Sequence, residues 1–231
     1  MPRDYAEAVK WFRKAANWNN PDAMMKLGDM YSEGTRVDKD FSEAARWYQK
    51  AIDQGVVQGL NALALMYYYG NGVHQDNAEA FRLFHRAAEQ RDPIGEFNSG
   101  IMYYNGQGLS RDYAKAAEYY RASAELGNAD AQFALGSMYY EGNGVNKDYS
   151  EAASLYRSSA EQGNSDAQLN LAPVYYEGNG VAENSFEAMN WYRKSAEQGN
   201  ADAQFALGSM YYDGDGVKKG TTSFTQPCFR K

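Results

Sequence analysis

Apolar positions along this chain return every 36 residues without a gap. From Asp130, steps of 36 fall on Asp22, Gln58, Ile94, Asp166 and Asp202. Nine places beyond each marker stands a tyrosine (Tyr31, Tyr67, Tyr103, Tyr139, Tyr175, Tyr211), and twelve places beyond stands a glycine (Gly34, Gly70, Gly106, Gly142, Gly178, Gly214). Self-similarity at a fixed period of this size is the signature of a stacked repeat array.

Two hydrophobic patterns alternate within the unit. In the first block Ala131, Leu135, Met138 and Tyr139 recur at i, i+4, i+7 and i+8, which places them on one helix face. Asn128 is set to cap that helix, and in two copies Pro21 and Pro93 take the first helical position after Asn20 and Asp92. Gly142 supplies a left-handed stop, extended by a second glycine in five copies and replaced there by Arg36 in the first.

The second block, DYSEAASLYRSSAEQGN at 148–164, recurs from Asp4, Asp40, Asp76, Asp112 and Asn184. Asp148 and Glu151 have capping-box spacing, as do Asp4/Glu7, Asp40/Glu43, Asp76/Glu79 and Asn184/Glu187. Gly55, Gly127, Gly163 and Gly199 mark the stops.

Helices of about a dozen residues are marginal alone and must bury an apolar face against neighbours. A small residue in the first block (Gly28, Ala64, Gly100, Gly136, Ala172, Gly208) lets the next helix approach. The second block offers a matching alanine (Ala8, Ala44, Ala80, Ala116, Ala152, Ala188) and, four residues on, an aromatic plug (Phe12, Tyr48, Phe84, Tyr120, Tyr156, Tyr192). One unit repeated this way gives a continuous core.

The Leu135-Gly136-x-x-Tyr139 pattern, its glycine turn and the alanine-rich second helix resemble the Sel-one-like repeat family, relatives of the tetratricopeptide repeats. The resemblance covers residues 4–217. It implies an all-α, right-handed α/α superhelical solenoid of antiparallel helix pairs, acting as an adaptor for protein complexes. A fold hosts many activities, and nothing in the sequence chooses a pathway. Cysteine-rich relatives staple their helix pairs, and a chain with one cysteine, Cys228, cannot.

Residues 1–217 read as a single solenoid, and 218–231, without acidic cap or alanine pattern, as an irregular tail. Loss of pattern after Val217 suggests an alternative, a fragment of a longer adaptor that works only within a larger assembly. The terminal helices would then expose Phe205, Leu207, Met210 and Tyr211, so end-to-end self-association is expected. Pro173 within a first-block helix predicts a kink, and Ser99 stands where the other copies have leucine.

Composition narrows the chemistry. A hydrophobic content of 44% is enough for a core. A net charge of −7 argues against nucleic acid, where lysine and arginine dominate affinity. Without an apolar leader, a long apolar run or a glycosylation sequon, a cytoplasmic location and no membrane span are expected.

The EGNGV turns complete no phosphate-loop motif and read as helix caps. Asp213 and Asp215 lack the spacing of a calcium loop. His85, in the slot of Arg13, Arg121, Arg157 and Arg193, reads as a surface substitution, and His74 as a turn residue. No nucleophile, base or metal-ligand set converges, so the reading is non-enzymatic, without metal or cofactor.

The six tyrosines of the marker series read as core. The adjacent series, Tyr68, Tyr104, Tyr140, Tyr176 and Tyr212 with Ser32 in the first copy, lies about 100° further round the helix. The tetratricopeptide resemblance makes that face a concave groove. It would also carry Met25, Asn61, Phe97, Phe133, Leu169 and Phe205, with an acidic edge of Glu33, Glu141, Glu177 and Asp213. A repeated aromatic wall fits a peptide-binding surface, and the expected partner is an apolar or basic protein segment. The competing reading of the same rings is packing between repeats.

Overall fold

The computed structural model describes residues 4–34 and 37–216, which form paired α-helices with no strand among them. First-block helices are α2 (Pro21–Glu33), α4 (Val57–Tyr69), α6 (Pro93–Asn105), α8 (Ala129–Glu141), α10 (Ser165–Glu177) and α12 (Ala201–Asp213). They alternate with second-block helices α1 (Tyr5–Asn17), α3 (Phe41–Asp53), α5 (Asn77–Ala88), α7 (Tyr113–Glu125), α9 (Tyr149–Glu161) and α11 (Ser185–Glu197). Each helix packs on the next in sequence along the whole array, as in a solenoid. Arg36, Val217 and the tail 218–231 with Cys228 lie outside the described residues.

Caps set the element boundaries. The Asp148 carboxylate accepts the N–H of Glu151 at 3.0 Å, and Asp40 that of Glu43 at 2.9 Å. Asp112 accepts the Lys115 N–H at 3.0 Å although that copy has lost its glutamate. The asparagine and aspartate caps of the first block form as expected, while α4 starts at Val56 with no side-chain cap. First-block helices end on a left-handed glycine, such as Gly142 at φ 81°. The second-block glycine stands one residue past the helix cap, and in the two copies without it Asn19 (φ 58°) and Arg91 (φ 57°) hold the same left-handed backbone.

The second glycine of each turn serves the joint between repeats. A Cβ on Gly108 would stand 2.5 Å from the Asn77 backbone at the start of α5. Within a pair, a Cβ on Gly100 would stand 2.6 Å from the Tyr120 ring, so the glycine seats the plug. Tyr48, Phe84, Tyr120 and Tyr156 are buried in these seats. Over Gly208 nothing among the described residues stands within 4 Å.

The structure corrects three expectations. Of the marker tyrosines only Tyr31 is buried; Tyr67, Tyr103, Tyr139 and Tyr175 are half-buried and Tyr211 is exposed. Four of the six meet an arginine at the edge of the helix pair. Arg13 donates to the Tyr31 hydroxyl, Arg121 to Tyr139 at 2.9 Å, Arg157 to Tyr175 at 2.6 Å and Arg193 to Tyr211 at 2.8 Å. His85 is more than a surface substitution, since its Nδ1 lies 2.9 Å from the Tyr119 hydroxyl and its ring stacks on Phe81 at 5.7 Å. Asn61 is buried rather than presented, because its Nδ2 donates to Asp92 at 2.7 Å across the joint between repeats. Pro173 lies within α10, with Leu171, Ala172 and Val174 buried around it, and the helix assignment runs through the position where a kink is expected. Ser99 is fully buried and its hydroxyl has no hydrogen-bond partner among the described residues.

Candidate functional site: the second tyrosine series

The second tyrosines all sit in the last turn of a first-block helix, one residue past the marker tyrosine, so the helix period alone gives them a common face. Their surroundings grade along the array. Tyr68 and Tyr140 are half-buried, and so is Tyr104, whose ring lies 4.9 Å from Tyr113. Tyr140 packs on Tyr149 at 5.0 Å. Tyr176 is 42% exposed and Tyr212 92%.

A hydrogen bond of fixed span ties this series to the following turn. Tyr68 donates to Gln107 Oε1 at 2.9 Å, and Tyr176 to Asp215 Oδ2 at 2.8 Å. Asn179 Nδ2 lies 3.5 Å from the Tyr140 hydroxyl. The latch residue always stands between the two glycines of the turn, which was the sequence signal for it. The Asp215 bond also raises the Tyr176 phenol above its ordinary pKa.

Phe97 and Phe133 are half-buried and lean on the plugs Tyr120 and Tyr156, each at 5.7 Å between ring centres. Phe205 is 79% exposed. Met25 and Leu169 are half-buried. Glu33, Glu141 and Glu177 are exposed, as is Asp213; Glu141 and Glu177 accept from Asn143 at 2.5 Å and Asn179 at 2.6 Å. Tyr69 and Asn105 interrupt the acidic edge in the second and third copies.

Tyr68, Tyr140 and Tyr176 are thus tied to the following turn, and Glu141 and Glu177 to a turn amide, while Asn61 is withdrawn and Tyr212 stands free of such a contact among the described residues. Rings held by a second contact lose little freedom on meeting a ligand, the property expected of interaction anchors. Their bonds to the next turn also make them part of the joint, as the packing reading requires. No group of three or more His, Cys, Asp or Glu residues among the described residues could hold a metal ion. No helix among them is long and apolar enough to cross a membrane.

The Sel1 repeat family model matches residues 1–17, 21–56, 57–92, 93–128, 129–164, 165–200 and 201–221. Among solved structures, the chain is similar to a protective antigen present in uropathogenic Escherichia coli strains, described as displaying an SLR fold. The two are 40% identical with a TM-score of 0.86, over 91% of this chain and 45% of that one. A Sel1 repeat protein from Oxalobacter formigenes is also 40% identical, with a TM-score of 0.84, over 91% of this chain and 86% of that one. An immunity protein from Pseudomonas aeruginosa, 23% identical with a TM-score of 0.60 over 87% of this chain and 76% of its own, shares the fold. No curated protein matches.

Proposed function

The chain belongs to the Sel1 repeat family, generally non-enzymatic scaffolds for protein–protein interaction, and from that premise we propose that the second tyrosine series is where it holds a partner. The occupant is an extended or helical segment with apolar anchors for Tyr68, Tyr104, Tyr140 and Tyr176 and with lysine or arginine for Glu141, Glu177 and Asp213. One observation carries this reading: the tyrosine and its acidic neighbour recur in register over the last three repeats, as Tyr140/Glu141, Tyr176/Glu177 and Tyr212/Asp213.

Selection from a library of displayed peptides tests it with no partner specified in advance. Recovered sequences should combine aromatic or aliphatic residues with lysine or arginine. They should lose at least tenfold in affinity for a Glu141→Lys/Glu177→Lys/Tyr176→Ser variant, whose substituted side chains are exposed. Peptides without that bias, or equal binding to the variant, would sink the idea.

A second reading rests on Gly208, whose slot holds a buried ring in the copies at Gly28, Gly100 and Gly136 and is filled by none of the described residues here. A second-block helix fits the slot, and α1 of another copy carries the required Ala8 and Phe12. End-to-end pairing follows from that fit. Sedimentation velocity should show mass rising with concentration, and Gly208→Trp should abolish the rise; a constant monomer mass would refute it.

A further inference from the structure

In a repeat array the positions shared by all copies answer to packing, so a copy that departs at several places together marks something beyond packing. The joint between the third and fourth repeats departs at five. His85 stands where four copies have arginine, and Glu96 where three have glutamine (Gln132, Gln168, Gln204). Lys115 stands where every other copy has glutamate, and Glu118 where the first three have Lys10, Arg46 and Arg82. Tyr119 replaces tryptophan or leucine.

The fold gathers these departures around one cavity of about 400 Å³ between α6 and α7, lined by Glu96, Tyr103, Lys115, Glu118 and Tyr119. His85 borders it through its contact with Tyr119. The Tyr103 and Tyr119 rings stack 5.5 Å apart at 18°, which makes a flat wall. No cation lies within ion-pair distance of Glu96 or Glu118 among the described residues. Lys115 holds its ammonium 5.2 Å from the centre of the Tyr103 ring. Partial burial raises the Glu96 carboxyl above its ordinary pKa, and burial with the nearby Tyr103, Glu96, Glu89 and Glu118 pushes the Tyr119 phenol up to about 12. With Lys115 counted, Glu96 and Glu118 leave the lining one net negative charge.

The molecule itself shows which cation suits this tyrosine. In four other copies the marker tyrosine hydroxyl accepts from an arginine of the preceding helix. Tyr103, opposite His85, lacks that bond, and its hydroxyl has no hydrogen-bond partner among the described residues. We propose that this cavity takes the guanidinium of an arginine side chain from a partner protein, stacked on the Tyr103–Tyr119 wall and held by Glu96 and Glu118. A guanidinium is planar, weakly hydrated and able to fork two hydrogen bonds to carboxylates, so it matches a flat ring and two acids better than an ammonium does. The site is separate from the second tyrosine series, because Tyr103 and Tyr104 project about 100° apart on α6.

The test uses the isotope-labelled full chain and three blocked tripeptides, acetyl-Gly-X-Gly-amide with X arginine, lysine or the neutral isostere citrulline. The arginine peptide should give saturable amide shifts confined to residues near 85, 96, 103 and 115–119. Lysine should bind at least fivefold more weakly, and citrulline should leave the spectrum unchanged.

Glu96→Gln and His85→Arg each restore the residue of other repeats, so both are expected to fold. The first should weaken binding about tenfold, and the second should supply a guanidinium from within and block the site. Three results would each overturn the assignment: absent or scattered shifts, equal response to lysine or citrulline, and unchanged binding in both variants.

Discussion

Ala51 and Ala87 face the start of the preceding first-block helix in the early repeats; the same position in the later ones is Ser123, Ser159 and Ser195. Each serine is buried and donates to the first carbonyl of that helix, Ser123 to Pro93 at 2.6 Å, Ser159 to Ala129 at 2.7 Å and Ser195 to Ser165 at 2.9 Å. A second ladder runs beside it. Gln168 and Gln204 donate to Ala160 and Ala196 at 3.0 and 3.1 Å, and Gln198 reaches Gln168 at 2.8 Å, where α2 and α4 carry Met24 and Leu60. The core divides the same way. From α1 to α6 one continuous cluster runs from Ala16 to Met102, whereas α7 to α12 hold three smaller ones.

One backbone is thus joined by apolar burial in its first half and by satisfied polar ladders in its second. Each large buried apolar side chain contributes about 1.5–3 kcal/mol, and each net hydrogen bond about 1 kcal/mol. Apolar contact is non-directional, while a hydrogen bond fails if the helices slip. The second half therefore gives up contact area for register.

The sharpest way to break this comparison is Phe84→Ala. Phe84 is fully buried at the centre of the continuous cluster, and its loss should cost about 3–5 kcal/mol. In versions of the variant that keep Trp47 or Trp191 alone of the four tryptophans, urea unfolding should show Trp47 fluorescence moving before Trp191. A loss below about 1 kcal/mol, or coincident transitions, would show that the halves do not differ in this way.

Alkaline pH probes the plugs of both halves. Burial, first among the causes, raises the Tyr48 and Tyr156 phenols to about 12 from an ordinary 10. Their neutral form is the one the fold favours. That contribution is whole below pH 10, the unfolded value, and is lost as pH climbs through 12. Circular dichroism should record unfolding across that window, and Tyr156→Phe should move its midpoint upward. An unshifted midpoint would mean this ring is not the group responsible.

Next in size is the serine ladder. Ser159→Ala leaves the Ala129 carbonyl without its donor and should cost about 1–2 kcal/mol. The reciprocal Ala51→Ser supplies a hydroxyl to Pro21 and should change stability by no more than about 0.5 kcal/mol, because a new bond offsets lost apolar contact. Chemical denaturation of the pair would refute the ladder if Ser159→Ala were neutral.

Arg91→Gly follows. Arg91 holds φ 57° without the glycine that four other copies use, and a left-handed backbone costs a side-chain-bearing residue about 1 kcal/mol. Thermal melting should show a gain of that order, against none if tertiary contacts of Arg91 compensate.

The period, the caps and the glycine seats were legible because each is a local requirement written into every copy. Asn128, Asp148 and Gly142 do what their residue types permit almost anywhere. The marker tyrosines were misjudged because a ring on an apolar helix face looks like core until its hydroxyl finds an arginine on the neighbouring helix. That partner was visible as the recurrent Arg13, Arg121, Arg157 and Arg193, yet a slot shows its meaning only once two helices are docked. The tyrosine latches to Gln107, Asn179 and Asp215 were hidden for the same reason, since they join different repeats. The cavity beside Tyr103 needed three helices in place before its departures could be seen to converge.

The smallest expected effect isolates what a plug does to its seat. Gly100 and Gly208 occupy one position of the repeat, in α6 of the first half and α12 of the second. In both, alanine favours the helix by about 0.5–1 kcal/mol over glycine. At Gly100 the new methyl would stand 2.6 Å from the Tyr120 ring, whereas at Gly208 it would meet nothing among the described residues within 4 Å. Ala172 beside Tyr192 shows that a ring can stand off, so Gly100→Ala should lose only about 1 kcal/mol, while Gly208→Ala should gain about half that. Opposite signs in parallel melts would assign the difference to the plug, because helix, neighbours in sequence and substitution are otherwise alike. A gain at both sites would mean that the seats are looser than their geometry, and that glycine there reflects the copying of one unit and not the fit of a ring.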